Sequence, residues 1–99
     1  MSYDVTVGTK DFNYTSNMGQ LFEDFNVHPH DMHREAPHTV AYRISRALGN
    51  IPHFEFEALM RDYDDPNGWG TVEGAIRFLT DIYVACITEP DVDTVRVSM

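Results

Sequence analysis

The chain opens with strict alternation. Tyr3, Val5 and Val7 fall on one side and Asp4 and Thr6 on the other, the period of a half-buried strand that Gly8 ends. Residues 12–15, "FNYT", predict a second short strand. The period then changes: Met18, Leu21, Phe22 and Phe25 recur at i, i+3, i+4 and i+7, which predicts a first helix over about residues 16–26, with Ser16 or Asn17 as its cap. Residues 26–38 show no period and read as a loop. From 39 to 50, Val40, Ala41, Ile44, Ala47 and Leu48 take helical spacing, with Thr39 placed to cap and Gly49 placed to stop the helix. Pro52 can open a short third helix with Phe56, Leu59, Met60 and Tyr63 on one face, although Phe54 and Phe56 also alternate as in a strand. The longest stripe is Val72, Ala75, Ile76, Leu79, Ile82, Tyr83, Cys86 and Ile87, a helix stopped before Pro90 and expected at the centre of the core. Val95 and Val97 alternate with Thr94 and Arg96 as a last strand.

Strands at both ends with helices between them are most economically satisfied as neighbours in one sheet. The expected fold is therefore α+β: a small antiparallel sheet in which the N- and C-terminal strands pair, covered on one face by three to four helices, all in a single domain over residues 1–99. A strand pair alone is marginal, so "FNYT" is expected to join it or a second subunit to extend it, and open strand edges make a homo-oligomer credible. No run approaches the roughly 20 apolar residues of a membrane span, and "MSYDVTVGTK" lacks the features of a secretory leader, so a cytoplasmic location without membrane contact is expected. The single cysteine, Cys86, lies in the apolar stripe and reads as a buried thiol.

Charge narrows the function classes. Seven Lys and Arg against sixteen Asp and Glu give a net charge of −9. Direct nucleic-acid binding is not expected, because affinity for a phosphate backbone comes from many cationic side chains. An acidic face could instead occupy a basic nucleic-acid site on another protein.

The densest chemistry lies in "DYDDPNGWGTVEG", residues 62–74. Setting Gly68 at the sixth position of a calcium loop puts Tyr63 at the first and Gly74 at the twelfth, where ligands are required, so this is no EF-hand. Asp-Pro-Asn-Gly is turn chemistry, and Glu73 suits the first turn of the following helix. Trp69, the only tryptophan, either closes the core there or offers a contact surface. His28, His30, His33 and His38 crowd beside Asp31 without a recognised ligand spacing; the first three are weak metal candidates, and a solvated loop whose charge responds to pH between about 5 and 7 is the plainer expectation. Arg43 and Arg46 could clamp an anion, although such arginines are ordinarily solvated or paired with surface acids such as Asp62 and Asp64. No nucleophile with its base, no paired carboxylates and no phosphate-binding glycine loop are spaced for catalysis, so neither an enzyme nor a cofactor is expected.

Tyr3 and Asp4, then Asn13, Thr15 and Asn17, then Trp69 followed by Glu73 and Gly74 form a pattern that resembles a widespread group of small bacteriophage and prophage proteins, mostly of unassigned function. Val72 and Ala75 stand where the group commonly has Thr and Asn, so a polar site built there by the group is not carried over to this chain. The resemblance implies a phage accessory role in the host cell, where small acidic phage proteins often block a host factor. Three expectations follow. The first is a non-enzymatic inhibitor of a host defence protein such as a CRISPR effector, acting through Trp69 with Glu55, Glu57, Asp62, Asp64 and Asp65. The second is sequestration of a nucleotide signal by Asn13, Asn17, Trp69, Arg43 and Arg46. The third is a virion or assembly component that works as an oligomer.

Overall fold

The computed structural model describes residues 2–89 and 91–98, so the expected stop at Pro90 lies outside the described residues. Strand β1 (Ser2–Val7) turns through Gly8 and Thr9 into β2 (Lys10–Thr15), the two pairing antiparallel from Ser2 opposite Thr15 to Val7 opposite Lys10. Gly8 takes φ +63°, the first position of a turn whose twist matches the strands it joins, and a Cβ there would meet Val92 Cγ2 at 2.8 Å. Strand β3 (Arg96–Ser98) pairs antiparallel with the other side of β1, giving the order β2-β1-β3. The fold is α+β, with the N- and C-terminal strands neighbours as their alternation requires. Tyr3, Val5 and Val7 are buried, whereas Asp4, Asp11, Asn13 and Arg96 stand exposed on the opposite face.

Four helices supply the second layer: α1 (Gly19–Asp24), α2 (Pro37–Asn50), α3 (Phe56–Tyr63) and α4 (Val72–Thr88). Several expected boundaries move. The first helix splits into a 3₁₀ turn, Ser16–Met18, and α1, and its cap is Thr15, whose hydroxyl accepts from Asn17 N–H at 3.2 Å, in place of Ser16 or Asn17. Helix α2 opens on Pro37, whose preset φ suits a first helical position, two residues before Thr39. It runs through Gly49, because Pro52 is what lacks the N–H to continue it; Pro52 thus ends one helix through the 3₁₀ turn Ile51–His53 and does not open the next. The histidine segment contains a 3₁₀ turn, Pro29–Met32, that buries Pro29 and Met32.

One cluster of buried residues joins the layers, from Tyr3, Val5 and Val7 through Leu21, Phe22 and Ile44 to α4. Helix α4 packs against both the sheet and α2. Its buried residues are Val72, Ala75, Phe78, Leu79, Ile82, Ala85 and Cys86, with Phe78 stacked on Tyr14 at 5.5 Å and set against Phe22 at 5.9 Å. Ile87, expected in the stripe, is 59% exposed, because contact on two sides rotates the buried face toward Phe78 and Ala85. Cys86 is buried, and desolvation pushes its thiol up to about 11, so it stays protonated at neutral pH. Among the described residues, no helix is long and apolar enough to cross a membrane.

Candidate functional site

The motif residues that lie far apart in sequence meet where β2 ends and α4 begins. Tyr14 reaches from β2 to residue 71, its hydroxyl donating to Thr71 C=O at 3.1 Å and accepting from Thr71 N–H at 3.0 Å. Thr71 caps α4, its side chain accepting from Gly74 N–H at 3.0 Å. Only a glycine at 74 leaves room for this bracket, since an added Cβ would collide with the Tyr14 hydroxyl. Gly70 is likewise pressed against Thr15 and Met18, where a Cβ would lie 2.9 Å from side-chain carbons of both. Asn17 extends its amide to the Trp69 carbonyl at 3.5 Å. Thr15, Asn17 and Gly74 therefore have local structural duties in this junction, and Trp69 is held on it with its indole outward, 70% exposed.

Two of the five candidate acids build the same loop. Asp64 accepts from Val72 N–H at 2.7 Å, satisfying an amide of the first turn of α4 that has no partner within the helix. Asp65 accepts from Asn67 N–H at 3.1 Å and Trp69 N–H at 3.2 Å, while its own backbone bonds Gly68 and Gly70. Gly68 takes φ +75°, as the Asn-Gly pair anticipates. The carboxylates of this stretch point at their own backbone.

Glu55, Glu57 and Asp62 behave differently. Residues 52–57, Pro-His-Phe-Glu-Phe-Glu, are all exposed, with Phe54 at 55% and Phe56 at 41%. Phe56, expected on the buried face of its helix, is thus outside; of that face only Leu59 is buried, with Met60 and Tyr63 half-buried. Phe54 rests edge-on against Phe25 at 5.4 Å, which fixes one side of its ring. Asp62 meets Arg61 at 3.5 Å in an exposed pair. Below the run, Tyr63 donates to Asp24 at 2.5 Å and Gln20 donates to the same carboxylate, so Asp24 is held below its ordinary value while Tyr63 is pushed up to about 12. Nothing in the sequence signals this pairing across 39 positions, and the alternation of Phe54 and Phe56 reads as a strand alternative, not as an exposed surface.

Arg43 and Arg46 line a groove of about 490 Å³ with Phe25, Tyr42, Thr39 and Asn50. They do not pair with Asp62 or Asp64. Arg43 donates to the Asp31 carbonyl at 2.9 Å and approaches Glu35 at 3.9 Å, and Arg46 donates to the Tyr42 hydroxyl at 3.0 Å, its guanidinium 5.8 Å from that ring. Asn13 belongs elsewhere, on the exposed face of the sheet, donating to Ser2 and Asp4. The set Asn13, Asn17, Trp69, Arg43 and Arg46 is therefore distributed over three places and forms no single pocket.

Two of the histidines are fastened separately, and His30 and His38 are exposed. His28 lies 3.1 Å from the Tyr3 hydroxyl and accepts from His30 N–H at its other nitrogen, and His33 accepts from Val97 N–H at 2.9 Å. Among the described residues, no three His, Cys, Asp or Glu side chains converge to hold a metal. The chain matches no family model, no curated protein and no solved structure.

Proposed function

We infer that the protein is a non-enzymatic phage accessory protein that binds and blocks a basic site on a host defence protein, such as a CRISPR effector. The observation that carries this reading is the exposed run Phe54-Glu55-Phe56-Glu57, in which two exposed phenylalanines alternate with carboxylates that have no ion-pair partner among the described residues. Aromatic anchors ringed by charge are what a protein interface uses, the rings supplying affinity and the charges supplying encounter rate and register. Asp62 extends the acidic rim, and a net charge of −9 favours encounter with a cationic surface. Asp64 and Asp65 contribute to the field more than to the contact, because one oxygen of each is engaged with backbone amides.

The test is plating of a targeted phage on a host with an active CRISPR defence. The wild-type chain is expected to restore plating, and the variant carrying Glu55→Lys, Glu57→Lys and Asp62→Lys is expected to lose that effect while remaining folded. Equal rescue by both chains would sink the reading.

A second reading rests on the groove. Two guanidiniums beside a tyrosine and a phenylalanine suit a small aromatic anion, so sequestration of a nucleotide signal is assigned to Tyr42, Arg43 and Arg46 alone. Heat-released small molecules from purified protein, analysed by mass, test it; their absence, together with no uptake from a nucleotide mixture, counts against it.

A further inference from the structure

The sheet has two outer edges, and the chain treats them oppositely. At β3 the edge is closed from within: Val95 donates to Glu35 C=O and accepts from Arg34 N–H, each at 2.8 Å, and Val97 N–H is taken by His33 at 2.9 Å. Arg34 adopts φ +67°, a conformation disfavoured for a bulky residue, in making this closure. The open edges expected at the two terminal strands are therefore found at neither: β1 is the middle strand, β3 is closed, and the free edge belongs to β2. At β2, among the described residues, no segment but β1 pairs with the strand. Of the devices that blunt an edge it carries only charge, Lys10 and Asp11 beside the turn; no proline lies within it, and no bulge interrupts the register.

The hairpin geometry decides which groups are free. With Val7 and Lys10 closing a two-residue turn, Lys10, Phe12 and Tyr14 bond to β1, and Asp11, Asn13 and Thr15 turn their backbone N–H groups outward. The β3 side agrees: Val97, opposite Val5, has its N–H directed away from β1 to His33. We propose that β2 pairs antiparallel with β2 of a second copy, about a two-fold axis at Asn13, to give one continuous six-stranded sheet.

That register is the one that uses all three outward residues. It sets Asn13 opposite Asn13 and Asp11 opposite Thr15 of the second copy, so no aspartate faces its own image. On the helix side it brings Phe12 opposite Tyr14 of the second copy, a cross-strand aromatic pair of the kind that stabilises sheets. Charge favours a second copy as occupant. The groove beneath the edge is lined by Asp11, Phe12, Tyr14, Arg77, Phe78 and Asp81, and with Lys10 the charges there come to two positive and two negative. On a chain of −9 this stretch can meet itself without net repulsion. The inference stands apart from the proposed host contact, which uses residues 54–57 and 62.

Two variants test it. Asn13→Pro removes an outward N–H and leaves the ladder to β1 intact, a position where an edge strand tolerates proline. Asn13→Cys places two thiols on residues whose Cα atoms are about 5.5 Å apart in such a pair, within disulfide reach. Sedimentation is expected to show a concentration-dependent dimer for the wild type and a monomer for Asn13→Pro. Under oxidation, Asn13→Cys is expected to form a covalent dimer, whereas Asp11→Cys, which faces Thr15, and the wild type with its buried Cys86 do not. A wild type that stays monomeric at every concentration overturns the proposal, and so does a dimer that survives Asn13→Pro or cross-links as readily through residue 11. Should Asn13→Pro fail to fold, as read by circular dichroism, the contrast between the two cysteine variants decides alone.

Discussion

Two acidic stretches lie only a few residues apart in sequence and have opposite fates. In residues 64–71 each aspartate is turned onto backbone amides, and the loop is a structural joint. In residues 54–57 the carboxylates face water beside exposed rings. The difference teaches that a carboxylate is available to a partner only when no local donor has claimed it. Asp64 finds the start of α4 and Asp65 finds its own turn, whereas Glu55 and Glu57 make no side-chain hydrogen bond or ion pair among those found in the described residues.

Four changes break or sharpen this contrast. The largest effect belongs to Gly74→Ala, which drives a methyl group into the Tyr14 hydroxyl and opens the bracket on Thr71; a loss of about 2–3 kcal/mol is expected in denaturant unfolding. Asp65→Ala strands two amides of the turn, the backbone N–H groups of Asn67 and Trp69, and should cost about 1–2 kcal/mol in denaturant unfolding. If Asp65→Ala is neutral, the loop is not held by its acids and the contrast collapses.

Tyr63→Phe probes an intermediate case, an acid engaged at the surface. Tyr63 is raised from 10.0 to about 12, so its contribution is fully present below about pH 10 and is lost as pH rises toward 12. Asp24 is lowered from 3.8, so its contribution is present above that value and is lost as pH falls through its depressed value. Unfolding midpoints across pH should fall at both extremes in the wild type; in Tyr63→Phe the alkaline fall should shrink, and the acid fall should shrink only in part because Gln20 still holds Asp24. The smallest effect on stability is expected from Glu55→Lys with Glu57→Lys and Asp62→Lys, each about 0.5 kcal/mol, because all three are exposed and Glu55, at the N-cap position of α3, makes no cap hydrogen bond, so the main cost is the weak repulsion between lysine and the start of the helix. A large destabilisation there would mean that these acids too are structural.

Local periodicity carried most of the fold. Tyr3, Val5 and Val7 read as a buried strand face because one polar residue separates each pair, and the helices followed from 3.6-residue spacing. What local pattern cannot carry is which way a helix is rolled. Phe78 and Ala85 are buried and Ile87 is not because the sheet and α2 both press on α4, a fact of tertiary contact. The same limit applies to the junction. Trp69, Asn17 and Gly74 stood out as residues, yet the bracket that joins them depends on Tyr14, 57 positions from Thr71. The histidines cluster in sequence, but two of them serve partners at a distance, Tyr3 from His28 and Val97 from His33. Arg43 and Arg46 were visible as a pair on one helix, and the groove they share with Phe25 was not, since α1 and α2 are separated by the aperiodic segment.

The sheet's middle strand also sets an order of events in time. Strand β1 meets β2 across a two-residue turn but meets β3 across most of the chain, Asp4 lying opposite Ser98, 94 positions on (98 − 4). A hairpin of the first kind closes in roughly microseconds, while a pairing of the second kind must wait for the intervening chain to compact. Until it does, β1 has a bare second side and the His33–Glu35 segment has nothing to hold. The closure of β3 is therefore a late step, and weakening it, as His33→Ala would by freeing Val97 N–H, should quicken unfolding while leaving the rate of folding nearly unchanged.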